Sequence, residues 1–213
     1  NQVGYNEYGN EGSVKDYFNA STYGNVTISA GVYGPFMASA GCASYSYQAT
    51  GLFGAQNLLN EAINLADPTV NFADYCSNGS SYVDCVFMIF AGCAASSGED
   101  NAIWPHRSIL YPPVEKDGVY LYNYGCASEL QGSTPWTTPP TVGTICHEFS
   151  HVLGLDDNYD TDYGTNGQST TSDEWDVMSS GNYNNGGKTP PLWSSFQRSS
   201  QGFLDLIELN PAT

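Results

Sequence analysis

The stretch Thr144-Ile-Cys-His-Glu-Phe-Ser-His-Val-Leu-Gly-Leu-Asp-Asp-Asn-Tyr-Asp160 decides how the rest of the chain is read. It carries the pattern H-E-x-x-H-x-x-G-x-x-D on His147, Glu148, His151, Gly154 and Asp157. Residues i and i+4 lie one turn apart on one helix face, so a helix here aims the imidazoles of His147 and His151 at one point. Glu148, one step round, can reach a water at that point without being a ligand on the same face. Gly154 can take the left-handed conformation that ends a helix, and the returning chain brings in Asp157 as an oxygen donor. Two imidazoles, one carboxylate and one open position form the donor set of a catalytic zinc site. Zinc lowers the pKa of bound water to about 7 and polarises a carbonyl. That makes Glu148 the candidate general base, taking a proton from the water and handing it to a leaving amine.

H-E-x-x-H is short enough to occur by chance, but the chain has only three histidines and two are in the motif. The third, His106, sits between Pro105 and Arg107 in a stretch that reads as a loop. It is a rival to Asp157 as a ligand, with a packed or surface loop histidine as the default reading.

The 213 residues suit one domain, or one domain with two lobes, and the hydrophobic fraction of 40% allows a sizeable core. Five Lys plus Arg against 22 Asp plus Glu give a net charge of −17, which argues against nucleic acid or an anionic membrane as partner. The longest apolar run, Val86–Ala91, is too short to span a bilayer. The chain begins at Asn1 without Met, which reads as a trimmed catalytic domain whose leader and propeptide have been removed. Six cysteines at positions 42, 76, 85, 93, 126 and 146, with no C-x-x-C, read as three disulfides in an oxidising compartment. Cys76–Cys85 is the preferred pair, across the turn-like Asn78-Gly-Ser-Ser81.

Ser13 and Asp16 form a capping box that predicts a helix to about Ala20. Asn25–Tyr33 alternates as a strand, and Leu52–Ala66 has helical spacing that ends before Asp67-Pro68. Val83–Ala91 predicts a central strand. Val119–Tyr124 predicts another, a candidate sheet edge for an extended peptide. Gly132–Pro140 reads as a loop, and the motif helix should run from near Thr141 to Gly154. Asp156–Asp176 is an acidic loop whose carboxylates make Ca2+ a second, structural cofactor candidate. No EF-hand spacing is present, and a solvated loop is the default. Pro190–Gln201 predicts a last helix stopped by Gly202, and Phe203–Leu209 a strand or tail.

His147–Asp157 followed by Trp175-Asp-Val-Met-Ser-Ser-Gly181 resembles the metzincin zinc peptidases, whose helix motif precedes a methionine turn. The chain is more narrowly similar to the immune-inhibitor-A family of secreted bacterial metallopeptidases. Gly12–Gly24, Val32–Pro35 and Asn101–Arg107 carry that resemblance outside the motif, as does the Pro-rich segment before the last helix.

The resemblance implies an α+β, metzincin-like zincin: a twisted, mostly parallel sheet with a backing helix and the active-site helix in an N-terminal lobe. A small irregular C-terminal lobe ends in a helix. It implies a single catalytic domain over residues 1–213, with lobes 1–154 and 155–213. It implies a secreted endopeptidase made as a zymogen, with His147 and His151 on zinc, Glu148 as base and Met178 as a structural floor. Asp157 holds the third-ligand spacing, with Asp156 and Asp160 as rivals. A carboxylate there, where metzincins carry His, makes bound water less acidic. Ser180 stands where several metzincins place Tyr, and Tyr183 is further along.

The expected function is therefore extracellular, zinc-dependent hydrolysis of protein or peptide substrates by a monomer, without nucleic-acid or membrane partners. The alternative is a catalytically inactive, zinc-stabilised binding or adhesion module. The presence of Glu148 counts against it, because a structural site has no need of that base.

Overall fold

The computed structural model describes residues 9–131, 138–162, 164 and 171–207. Parts of the expected 132–140 loop, of the acidic loop and of the 203–209 segment lie outside the described residues. The architecture is α+β, and by contact the chain groups into two compact units, residues 1–29 with 141–213, and residues 30–140.

In the first unit, helix α1 (Val14–Ser21) starts where the capping box predicted: Asp16 N–H donates to Ser13 Oγ, and Ser13 N–H to the Asp16 carboxylate. The second unit holds helix α2 (Leu52–Ala66) and strands β1 (Val86–Phe90), β2 (His106–Lys116) and β3 (Val119–Ser128). Helix α2 buries Ala55, Leu59, Ile63 and Ala66, the i, i+4 stripe read from the sequence, in one cluster with Met88, Phe90, Leu110, Leu121 and Tyr124. The first unit then resumes with the motif helix α3 (Val142–Val152) and a short helix α4 (Ser195–Ser200).

Several expectations change. The described sheet is mixed rather than mostly parallel: its order is β1-β3-β2, with β1 parallel and β2 antiparallel to β3. Strand β3 is thus the middle strand and not a free edge, and β1 flanks it. Its ladders to β1 on one side and to β2 on the other leave it no open edge along the paired residues. His106 opens strand β2 instead of lying in a loop. Pro112 and Pro113 hid that strand; its register breaks between Ile109 and Val114, because proline has no N–H for a ladder.

Two more changes lie outside the sheet. Asn25–Tyr33 is neither helix nor strand, and Val32 is 91% exposed, so its alternation buries nothing. The last helix is only Ser195–Ser200. It is started by a Ser194/Gln197 capping box, after a Pro190-Pro191 pair that favours extended chain.

All six cysteines are thiols, and the Cys76–Cys85 bridge is not made. Cys146 is fully buried and belongs to the first unit, whereas the other five lie within residues 30–140. It has no cysteine neighbour in its own unit with which to pair.

Helix α3 is fixed at both ends. Asn10 Oδ1 accepts from Val142 N–H at 3.2 Å, satisfying one of the first-turn donors that a helix leaves unpaired. At the other end Gly154, at φ 99°, makes the αL turn of a Schellman motif. Gly154 N–H donates to His151 O and Leu155 N–H to Ser150 O, both at 3.1 Å. Its packed face joins Cys146 to Phe18, Tyr17, Leu155, Val177, Met178 and Trp193. Trp193 Nε1–H donates to Ser150 Oγ at 2.9 Å, tying the C-terminal segment to the middle of the helix.

Near the helix start, a Cβ on Gly143 would stand 1.9 Å from Asn182 O, a backbone atom that cannot swing away. Gly143→Ala should therefore destabilise the protein by about 1–3 kcal/mol or more, despite alanine's better helix propensity. A urea midpoint equal to or above wild type would contradict this packing.

Candidate metal centre

The fold of α3 and its return brings three predicted residues together. His147 Nε2 and His151 Nε2 each lie 3.2 Å from Asp157 Oδ1. Among the described residues this is the group of His, Cys, Asp or Glu side chains that could hold a metal, its donor atoms all within 4.8 Å of one another. Asp156 is exposed, and neither it nor Asp160 joins the group.

The ring orientation is set by backbone. His147 Nδ1 lies 2.8 Å from Val177 O, and His151 Nδ1 lies 2.7 Å from Leu155 O. A carbonyl can only accept, so each Nδ1 carries the proton and each Nε2 presents a lone pair. This is how metal-binding histidines are ordinarily held. Leu155 is the residue placed by the Schellman turn, and Val177 precedes Met178 in the methionine segment.

Asp157 Oδ1 is buried and accepts no hydrogen bond. It faces two nitrogen lone pairs, an arrangement that repels unless a cation sits among the three atoms. The donor set and the orphaned oxygen fit a zinc ion.

Without an ion, a proton serves. Burial lowers the His147 pKa, but Asp157, the charge of Glu148 and the Val177 carbonyl outweigh it and raise it above the ordinary value. Burial raises the Asp157 pKa, but the two imidazoles outweigh it and hold the carboxyl well below the usual range. Glu148 is buried, 6% exposed, beside His147. Met178 is fully buried in the cluster that includes Cys146, next in sequence to His147.

His106 has other work: its Nδ1 meets Trp104 O at 2.6 Å and its Nε2 meets Tyr124 OH at 2.7 Å. No second group of three metal-type ligands gathers among the described residues of the acidic loop. Asp176, read as part of that solvated loop, is instead 3% exposed and hydrogen-bonded to Met178 N–H, Asn158 and Gln197. Its sequence context, one acid among seven in a polar stretch, carries no sign of burial.

A family model described as immune inhibitor A peptidase M6, catalytic domain, matches residues 2–206. The chain belongs to this family. The pre-pro-metalloprotease PrtV of Vibrio cholerae serotype O1 is 27% identical over 220 residues, 87% of this chain and 23% of that protein. Immune inhibitor A of Bacillus thuringiensis subsp. alesti is 30% identical over 143 residues, 60% of this chain and 20% of the relative. A putative secreted metallopeptidase of Arthroderma benhamiae is 33% identical over 88 residues, 38% of this chain and 13% of the relative. The chain thus spans less than a quarter of the length of these curated relatives. With family membership, the expectation of a metalloendopeptidase domain stands.

The cluster also predicts a pH signature for the metal-free protein. Asp157, with its pKa lowered, contributes stability above the unfolded value of about 3.9 and loses it as pH falls. His147, with its pKa raised, contributes stability below the unfolded value of about 6.5 and loses it as pH rises through the folded one. In EDTA, urea midpoints should show a wild-type excess over Asp157→Asn that is largest between about pH 4 and 6.5. Parallel pH profiles for the two proteins would refute it.

Proposed function

We propose that this chain is the catalytic domain of a secreted, zinc-dependent endopeptidase. The observation that carries the reading is the convergence of two imidazole lone pairs and an orphaned, buried carboxylate oxygen in a member of a metallopeptidase family. His147 and His151 would hold zinc through Nε2 and Asp157 through Oδ1. When bound, the ion supplies positive charge that acidifies a water and polarises a peptide carbonyl.

The chain's own residues do the rest. Glu148 accepts the proton of the attacking water and delivers it to the amine nitrogen as the peptide bond breaks. Its low exposure keeps that carboxylate out of bulk water, where its proton would be lost. Val177 and Leu155 carbonyls keep both imidazoles in the tautomer that offers Nε2. Met178, fully buried, gives the site an apolar floor.

Protein or peptide is the substrate, as the names of the relatives suggest for those proteins. Secretion is supported by the printed name of the Arthroderma relative, and synthesis as a zymogen by the "pre-pro" of the Vibrio one.

Glu148→Gln should retain stoichiometric zinc yet lose about 10²–10⁴-fold in kcat on casein. Near wild-type cleavage by that variant would remove Glu148 from the mechanism. Phenanthroline should abolish cleavage and added zinc restore it; activity that persists through chelation would exclude the metal. A wild-type protein that binds zinc but cleaves no casein or peptide library would favour the inactive binding module.

A further inference from the structure

We propose that Asp176 is a positioning residue that fixes the metal-binding geometry of both His147 and Asp157, an inference that rests on the metal reading above. Asp176 lies outside the donor cluster, yet three chain segments end on its carboxylate. Oδ1 accepts from Met178 N–H at 2.8 Å and from Gln197 Nε2 at 2.6 Å. Oδ2 accepts from Asn158 Nδ2 at 2.7 Å.

Two of these bonds lead directly to the metal-type side chains. Asn158 is the residue after Asp157, and its own N–H donates to Met178 O at 2.8 Å. That backbone bond and the Asn158–Asp176 bond form a double tie between the segment returning after Gly154 and the methionine turn. On the other side, the Met178 N–H held by Asp176 belongs to the same peptide unit as Val177 O, the acceptor for His147 Nδ1–H. Orienting that N–H therefore orients the carbonyl that sets the His147 ring.

The turn is wound tightly on Asp176. Its carbonyl accepts from both Ser179 N–H and Gly181 N–H at 3.0 Å, and a Cβ on Gly181 would come within 2.5 Å of that oxygen.

A carboxylate suits this place because all three side-chain contacts are donors and it only accepts. An asparagine of the same shape must turn its NH2 toward either Asn158 Nδ2 or the pair of Met178 N–H and Gln197 Nε2. Either one tie becomes a donor–donor contact or the Asn158 amide turns over to accept, and in both cases the charge that strengthens the ties is gone. Gln197 gives a contrast, because it connects Asp176 only to the start of helix α4, where it also closes the capping box. Its loss should weaken the fold without moving either metal-type side chain.

The test is zinc affinity, measured by competition with a chromophoric chelator, for wild type, Asp176→Asn, Asn158→Ala and Gln197→Met. Melting of each chelated protein and kcat and KM on a peptide are recorded alongside. Removing such outer supports typically weakens metal binding 10–100-fold. The expected zinc Kd rises by about 10–100-fold in Asp176→Asn and severalfold in Asn158→Ala, with kcat falling and KM unchanged. Gln197→Met should melt lower yet stay within about twofold of wild-type zinc affinity.

The proposal is overturned if Asp176→Asn and Asn158→Ala bind zinc as wild type does. It is equally overturned if Gln197→Met loses as much affinity as Asp176→Asn, for then affinity merely follows stability. Should Asp176→Asn fail to fold, Asn158→Ala against Gln197→Met decides alone. A wild-type protein that binds no zinc overturns the metal reading itself, and this inference with it.

Discussion

Two hydrogen bonds from imidazole to backbone carbonyl govern the arrangement of this protein's metal-type residues. His147 gives its Nδ1 proton to Val177 O, and His151 gives its own to Leu155 O. Each bond removes one tautomer and one ring orientation, leaving Nε2 as a lone pair. Because the two acceptors come from different later segments, the chain must return to the helix twice. The first return is local and made by Gly154 in its αL conformation. The second is the turn around Asp176, which arrives from beyond the acidic loop. With both in place, Asp157 Oδ1 has only lone pairs before it, and a cation becomes the natural occupant.

Apolar packing holds these returns against the helix. Phe18 from α1, Trp193 from the C-terminal segment, and Leu155, Val177 and Met178 from the two returns close over Cys146. Each large side chain fully buried in this way contributes about 1.5–3 kcal/mol. The cysteine beside His147 is fully buried among them. It fills space in a small cluster, and the Ser150–Trp193 hydrogen bond satisfies the polar atoms nearby. Residues far apart in sequence thus share one purpose, to hold a short helix and its downstream carbonyls in register.

Much of this was legible from residue order. The stripe of Leu59 and Ile63, the Ser13/Asp16 cap and the Gly154 turn all rest on interactions within five residues, where periodicity and side-chain chemistry speak directly. What failed depends on neighbours. Val119–Tyr124 looked like an edge strand because alternation describes one strand's faces and not its lateral partners. Strand β2 was hidden by two prolines that a bulge accommodates. The Pro190–Gln201 helix shrank to Ser195–Ser200 because extended chain before Ser194 lets Trp193 reach Ser150. The three expected disulfides are not formed in the structure, and cysteine count carries no distances on which to place them.

The amino-acid order by itself determined which candidate donors the motif offers, the helical i, i+4 offset of His147 and His151, the glycine that ends the helix and the carboxylate three residues later. These are short-range facts, fixed by bond geometry and by which side chains can accept or donate. Only the tertiary structure decided which of three nearby aspartates faces the imidazoles and which nitrogen of each ring is free. It also took Asp176 out of the solvated loop and made it a buried acceptor. Apart from the local His151–Leu155 bond, those outcomes depend on groups brought in by segments 18 to 30 residues away, and no local pattern encodes where a distant peptide group will stand.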